Sequence, residues 1–449
     1  MTFLSLALAI LIVQLLLPQF NLITGKQLVL SPSVNLILSL LSITFFTGLI
    51  SGSYPALYLS SFNPALVLKG KFSSSVGELW ARKGLVVFQF AVSVILIVVV
   101  LVVYKQIEFI QSGNLGYNKD NIIYFEREGK LTENGEAFLS ELKNVTGIAE
   151  ASSMWGNIIG GYSATGDVQW EGKKPDERTA FEIMGVNYDL LEMLEIEMAA
   201  GRSFSRDFGA DTSKIIFNEA AIEIMGLNDP VGKVVRLWGT DLEIIGVTKN
   251  FHFQSLHENV KPLFIRLQPK NTLIMMAKIE AGKEKETLDK LQQLYKTYNP
   301  DFSFDYKFLD QDYQNQYSAE TRVARLSQYF AGLAILISCL GLFGLAAFTA
   351  EKRMKEIGIR KVLGSSEFDI VYLLSSDFTK IVFISIIIGL PISYFATKYW
   401  LESFAFKIEL ELWYFVGAGL SALFIAWLTV GMQAIKAARI NPVNSLRSE

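Results

Sequence analysis

The chain alternates long uncharged apolar runs with charged, turn-rich stretches. Residues 84–104 read "GLVVFQFAVSVILIVVVLVVY" without a single charge, and 326–350 and 412–435 are equally uncharged. Residues 35–59 form a further run, and 381–397 another that extends back to about Ile370 if Asp377 and Lys380 sit at an interface or inside a bundle. A bilayer core takes about 20 apolar helical residues, so each of these predicts a membrane-spanning helix. The opening run, 1–17, is apolar but shorter. It lacks a basic start and a small-x-small cleavage pattern, so it reads as a short membrane helix rather than a signal peptide.

Between the third and fourth runs the pattern changes. Residues 105–325 carry frequent charges and turn signals such as "SGNLGYNKDN", "EGKKPDER" and "GLNDPVGK". Strand-like stretches recur, "DLEIIGVTKNF" and "PLFIRLQ" among them. "EKETLDKLQQLYKTY" places Leu288, Leu291, Leu294 and Tyr295 at helical spacing. This segment predicts an α+β domain with mixed sheets. "YKQIEFIQS" and "SAETRVARLSQYF" extend the flanking spans as two helical stalks.

Composition agrees: the 449 residues are 51% hydrophobic with mean hydropathy +0.32, above the range of soluble domains. Lys and Arg then set the orientation. Segment 60–83 holds Lys69, Lys71, Arg82 and Lys83; 351–369 holds Lys352, Arg353, Lys355, Arg360 and Lys361; the tail holds Lys436, Arg439 and Arg447. The alternate loops hold only Lys26, Lys398 and Lys407. Both chain ends and segment 351–366 are therefore expected in the cytoplasm, and 105–325 outside. The domain boundaries that follow are 1–83, 84–104, 105–325 and 326–449.

Chemistry is sparse. A net charge of −3 points to no nucleic-acid partner, and one cysteine, Cys339, precludes an intrachain disulfide framework or thiolate cluster. The only histidines, His252 and His257, lie five residues apart in "NFHFQSLHENVKP" and lack a third ligand, so they read as a strand end leading into a turn rather than a metal site. "GLNDPVGKVV" fails as a phosphate loop: Gly226 and Gly232 are one residue too far apart and Val234 stands where Ser or Thr would hold magnesium. No catalytic residue, metal site or cofactor is expected in the chain.

The stretch "EKRMKEIGIRKVLGSS" at 351–366 is a short charged insert between two spans. Read as one helix over 351–364, it puts Met354, Ile357 and Leu363, with Val362, on one side and ringed by Lys352, Arg353, Lys355, Glu356, Arg360 and Lys361. Gly364 supplies a left-handed stop, and Ser366 a cap for the next helix. Spacing leaves two readings open, an interfacial amphipathic helix and a protein-docking helix. In the preceding span, Gly341, Gly344, Ala346 and Ala347 ("GLFGLAA") allow close helix packing or ordinary bundle packing.

The same stretch resembles the cytoplasmic coupling helix of FtsX/MacB-like ABC transporter permeases. Glu356, Ile357, Gly358, Ile359, Arg360, Lys361, Leu363 and Gly364 match that signature position by position. "NEAAIEIMGLNDPVGKVV" and "GVTKNFHFQSLHENVKPLFI" resemble recurrent segments of the family's extracytoplasmic domain. An internal repeat accompanies this: "FNPALVLKG" at 62–70 echoes "INPVNSLRS" at 440–448, and at that offset 1–20 falls opposite 379–398. The chain thus reads as the last two spans of one repeat and a complete second repeat. A two-repeat relative would add a span, an external domain and a first coupling helix before Met1.

The resemblance implies a polytopic α-helical protein of the bacterial inner membrane with an α+β, MacB periplasmic-core-like domain outside. It implies a permease without its own engine. A separate cytoplasmic ABC ATPase would bind ATP and magnesium and grip the helix, with Arg353, Arg360 and Lys361 in polar contact and Ile357, Ile359 and Leu363 in its groove. The helix motion would pass to the external domain, as mechanotransmission for export of a peptide, lipoprotein or drug-like substrate. A second permease copy, a periplasmic adaptor or an outer-membrane channel are the further partners implied. The alternative is a regulatory subunit that controls an envelope enzyme or histidine kinase.

Overall fold

Every uncharged run forms a helix. The computed structural model describes residues 1–60, 76–160, 163–174, 176, 178–209 and 211–439. The repeat segments 62–70 and 440–448, with Lys69, Lys71 and Arg447, lie outside these residues. The chain divides into a helical unit (1–104, 320–399, 409–449) and a sheet unit (105–319, 400–408).

The helical unit draws on α1 (Thr2–Thr24), α2 (Val34–Ser60), α3 (Val76–Ser112), α9 (Ser318–Lys352), α10 (Met354–Val362), α11 (Glu367–Leu401) and α12 (Leu412–Ala438). Among the described residues, six helices are long and apolar enough to cross a membrane. The opening helix is longer than its pattern suggested. Pro18 sits inside α1 without ending it, and the stop comes at Gly25, which is left-handed with φ 68°. A proline in a membrane helix frees one carbonyl, which neighbouring groups re-satisfy.

The helical core joins four helices. Val86, Phe90 and Val94 of α3 meet Leu342, Leu345 and Ala346 of α9, Phe378, Ile381, Val382 and Ile386 of α11, and Ala422, Ala426 and Val430 of α12. On α12, Ala418, Ala422, Ala426, Val430, Ala434 and Ala438 are all buried. They recur every fourth residue, along the ridge that interdigitates at close helix crossings. Ser93 and Ser338 share a buried hydrogen bond of 2.9 Å between α3 and α9. Trp427 Nε1 donates to Thr379 Oγ1 at 3.0 Å between α12 and α11.

The sheet unit is a twelve-stranded mixed sheet. Its strands are β1 (Ile122–Glu126), β2 (Ile148–Trp155), β3 (Ala164–Thr165), β4 (Val168–Gln169), β5 (Phe181–Val186), β6 (Met198–Gly201), β7 (Lys214–Asn218), β8 (Val234–Leu237), β9 (Thr240–Thr248), β10 (Leu263–Leu267), β11 (Ile274–Ile279) and β12 (Lys307–Phe308). Order runs β12-β1-β11-β2-β5-β10-β7-β9-β8-β4, with β3 on β5 and β6 on β9. The pairs β5–β10 and β7–β9 are parallel and the other pairs antiparallel. The two strand-like stretches of the sequence are β9 and β10, consistent with half-buried alternation and apolar runs.

Helices α4 (Leu131–Leu142), α5 (Leu190–Met193), α6 (Glu219–Met225), α7 (Glu284–Tyr298) and α8 (Leu309–Gln316) complete this unit. The amphipathic stretch at 284–298 is α7, with Leu291 and Tyr295 buried against Phe125 and Phe138. Asp211 is buried and accepts both guanidinium bonds of Arg202, each 2.8 Å, plus the Ser205 N–H at 3.0 Å.

The sequence pattern treated 398–411 as a short loop between spans. Its residues Trp400–Ile408 belong instead to the sheet unit. Gln106, fully buried, donates to the Phe406 carbonyl and accepts from the Ile408 N–H, both at 2.9 Å. The Phe406 N–H donates to the Leu256 carbonyl at 3.1 Å. Phe404 is buried in the core that also holds Phe251, Phe253 and Tyr317.

Candidate functional site

The site is the short helix α10 and its two ends. Helix α9 runs to Lys352 and breaks at Arg353, whose φ and ψ are −95° and 10°. The expected single helix over 351–364 is therefore two pieces: Glu351 and Lys352 finish α9, and α10 spans Met354–Val362. Nothing in the local sequence, neither Gly nor Pro, marks the break. Arg353 Nη2 lies 2.9 Å from Asp377 Oδ2 on α11, which also has Lys380 at 3.9 Å.

At the other end Gly364 adopts φ +97°. The Ser365 N–H donates to the Arg360 carbonyl at 3.0 Å, which closes a Schellman-type stop. Ser366 Oγ then accepts the Asp369 N–H at 3.2 Å, and the Ser366 N–H donates to Asp369 Oδ2 at 3.0 Å. This reciprocal box opens α11 at Glu367. Helix α10 is thus delimited on both sides by specific backbone chemistry.

Its inner face differs from the one expected. Ile357 and Gly358 are buried; Ile357 packs with Ala350, Ile370, Leu374, Ala434, Ala437 and Ala438. Met354 and Lys361 are half-buried. Leu363 and Val362 do not share this side: at about 100° per residue, Leu363 points roughly 120° away from Ile357. Leu363 is 79% exposed, Val362 67% and Ile359 52%. The outward apolar face is therefore Ile359, Val362 and Leu363, continued by Phe368 beyond the turn. Ile357 anchors the helix to its own unit.

The polar residues divide the same way. Arg353 is engaged with Asp377 rather than presented outward. Arg360 Nη2 lies 2.8 Å from Glu356 Oε1, one helical turn apart on the exposed surface. Lys355 is exposed beside them.

The four small residues of α9 do not act together. An added Cβ at Gly341 would meet the side-chain amide oxygen of Gln89 on α3, which would have to swing aside. Ala346 is buried in the four-helix core and Ala347 is half-buried. Gly344 is exposed, and among the described residues nothing lies within 4 Å of an added Cβ, so it makes no close helix contact within this chain. It lies about 60° around the helix from Gly341.

In the sheet unit the histidines hold the 400–408 segment. His257 stacks on Phe404 with ring centroids 4.0 Å apart, and its Nδ1 lies 2.8 Å from the Ser403 carbonyl. That carbonyl can only accept, so Nδ1 carries the proton. His252 meets Phe406 edge-on at 4.3 Å, and burial pushes its imidazole below the ordinary value. Among the described residues no cluster of His, Cys, Asp or Glu is arranged to hold a metal. In "GLNDPVGK", Gly226 caps α6, and Lys233 Nζ donates to the Asn228 carbonyl of its own loop.

Comparison with known proteins fits this division. Residues 85–289 match the MacB-like periplasmic core domain, and residues 329–442, which contain α10, match the FtsX-like permease C-terminal domain. The uncharacterized ABC transporter permease YknZ of Bacillus subtilis (strain 168) is 22% identical over 285 residues, 61% of this chain and 72% of that protein. The macrolide export ATP-binding/permease protein MacB of Haemophilus ducreyi is 22% identical over 291 residues, 60% of this chain and 40% of MacB. Among solved structures, the extracellular domain of the noncanonic ABC-type transporter YknZ from Gram-positive bacteria aligns at TM-score 0.31 and 19% identity, over 41% of this chain and 97% of that one. The periplasmic region of MacB from Actinobacillus actinomycetemcomitans aligns at TM-score 0.33 and 14% identity, over 46% and 96%. With its apolar spans, mixed-sheet domain and delimited short helix, the chain carries a MacB-like periplasmic core domain and an FtsX-like permease C-terminal domain and is similar over about 60% of its length to ABC transporter permeases.

Proposed function

We propose that this chain is a permease subunit that receives the stroke of a separate cytoplasmic ABC ATPase through α10 and delivers it to the sheet unit on the other side of the inner membrane. The carrying observation is the outward apolar face of α10: Ile359, Val362 and Leu363 exposed beside the Arg360–Glu356 pair, on a helix fixed from behind by Ile357. Exposed aliphatics next to an Arg are the composition of an interface core. A helix anchored on one face and open on the other can be pushed as a rigid body. The excess of Lys and Arg at 60–83, 351–369 and the tail supports the cytoplasmic side for α10 and both termini. ATP and magnesium belong to the partner in this reading.

Motion would leave α10 along continuous chain. Helices α3 and α9, and the 400–408 segment that follows α11, carry the chain from the helical unit into the sheet unit. The output is export of a peptide, lipoprotein or drug-like molecule by mechanotransmission. Helices α1 and α2 contribute further apolar surface, almost none of it buried within the chain. Lipid, a second permease copy or a partner subunit would cover it. A pull-down of the tagged chain from native membranes tests the proposal. It should recover one ABC-type ATPase; recovery of envelope proteins without any ATPase would overturn it.

A further inference from the structure

A small pocket in the helical unit has a composition that the docking reading does not use. It encloses about 140 Å³ and is lined by Lys83, Leu345, Phe348, Thr349, Lys352, Arg353, Asp377, Phe378 and Ile381. Three cations face one carboxylate, and that carboxylate is already paired with Arg353 at 2.9 Å. Among the described residues Lys83 and Lys352 have no carboxylate partner. The Phe348 ring carries the Arg82 guanidinium at 4.5 Å and the Lys352 ammonium at 4.7 Å. The remaining wall, Leu345, Phe348, Phe378 and Ile381, is apolar and belongs to two long hydrophobic helices.

We infer that this pocket binds an anionic phospholipid. The phosphate would sit between Lys83 and Lys352, while the first part of an acyl chain lies along Leu345, Phe378 and Ile381. Basic pockets between membrane helices suit acidic headgroups. The volume, well below the roughly 300–1,000 Å³ of sites that enclose drug-sized molecules, has room for a headgroup phosphate but not for a whole enclosed ligand. The inference needs the helices to lie in a membrane and does not depend on ATPase docking.

Native mass spectrometry of the purified full-length chain tests it, with phosphatidylglycerol, phosphatidylcholine and inorganic phosphate as separate probes. Phosphatidylglycerol should bind at least about fivefold tighter than phosphatidylcholine, the worth of roughly one basic residue at an anionic surface. The double variant Lys83→Gln, Lys352→Gln should abolish that preference and leave phosphatidylcholine binding unchanged. The variant Lys83→Arg, Lys352→Arg should retain it. Equal binding of the two lipids, an unaffected glutamine variant, loss in the arginine variant, or inorganic phosphate binding as tightly as phosphatidylglycerol would each overturn the assignment.

Discussion

Arg353 Nη2 and Asp377 Oδ2 stand 2.9 Å apart, across the break that separates α9 from α10. Both side chains are about one-third exposed, so the pair contributes modestly, about 0.5–1 kcal/mol. Its value is positional: it fixes the start of α10 against α11. Asp377→Asn should lower the thermal midpoint of the purified chain slightly, and Arg353→Asp alone should lower it further. The swap Arg353→Asp, Asp377→Arg should recover most of the loss. A swap no better than the sum of the single changes would show that the two groups do not couple.

The two faces of α10 predict opposite phenotypes. Leu363→Asp or Val362→Asp, on exposed positions, should leave the thermal midpoint unchanged and abolish co-purification with the ATPase. Ile357→Asp, at 5% exposure, should cost about 3 kcal/mol by burying a carboxylate without a partner. It would lose the ATPase only because the helix detaches. Thermal unfolding measured beside co-purification separates the two cases. Retained ATPase binding by Leu363→Asp would remove the outward face from the interface.

How far the sequence displays this arrangement differs by feature. The spans are legible because the bilayer demands long uncharged runs, and Gly364 and Ser366 are legible because stop and cap need particular residues. The break at Arg353 is not, because no glycine or proline marks it and the Arg353 ion pair beside it is to Asp377, twenty-four positions on. Ile357 and Leu363 looked alike because a motif records hydrophobicity and not the direction fixed by neighbours such as Ala434 and Ala438. Gly341 and Gly344 likewise look equivalent until Gln89 is in place beside one of them. The grip of His257 on Ser403 spans 146 positions and leaves no local signal.

Asp211 gives the sheet unit an acid limit. Bonds from Arg202 outweigh its burial and, with the Ser205 N–H, hold its carboxyl below the usual range. A carboxylate depressed in the folded state stabilises fully above its unfolded value of about 3.9, and that contribution is lost as pH falls through the folded value. Asp211→Ala should cost about 3 kcal/mol at neutral pH, because Arg202 loses its partner. The difference in thermal midpoint between wild type and variant should narrow as pH is taken from 7 toward 3. A difference independent of pH would assign the effect to packing.

His252 should make the seat of the 400–408 segment sensitive to mild acid. Its ring packs edge-on against Phe406 and its basicity is lowered by burial. The folded protein therefore binds this proton less readily than the unfolded chain, whose histidine titrates near 6.5. The sign follows: the contribution is complete above about pH 6.5 and declines as pH falls below it. Among the described residues no hydrogen bond joins a carboxylate to the His252 ring; Asp120, Glu195 and Glu197 line the same cavity without lifting its basicity above the ordinary value. His252→Gln should remove the part of the fall in thermal midpoint between pH 7.5 and 5.5 that arises at this site, at a small cost in stability at pH 7.5. Trp400, which stacks edge-on with Phe404 at 5.0 Å, reports the segment directly by its fluorescence. Release at low pH in wild type, and its absence in the variant, is the expected pair of results. An identical pH response in both would place the sensitivity elsewhere in the chain.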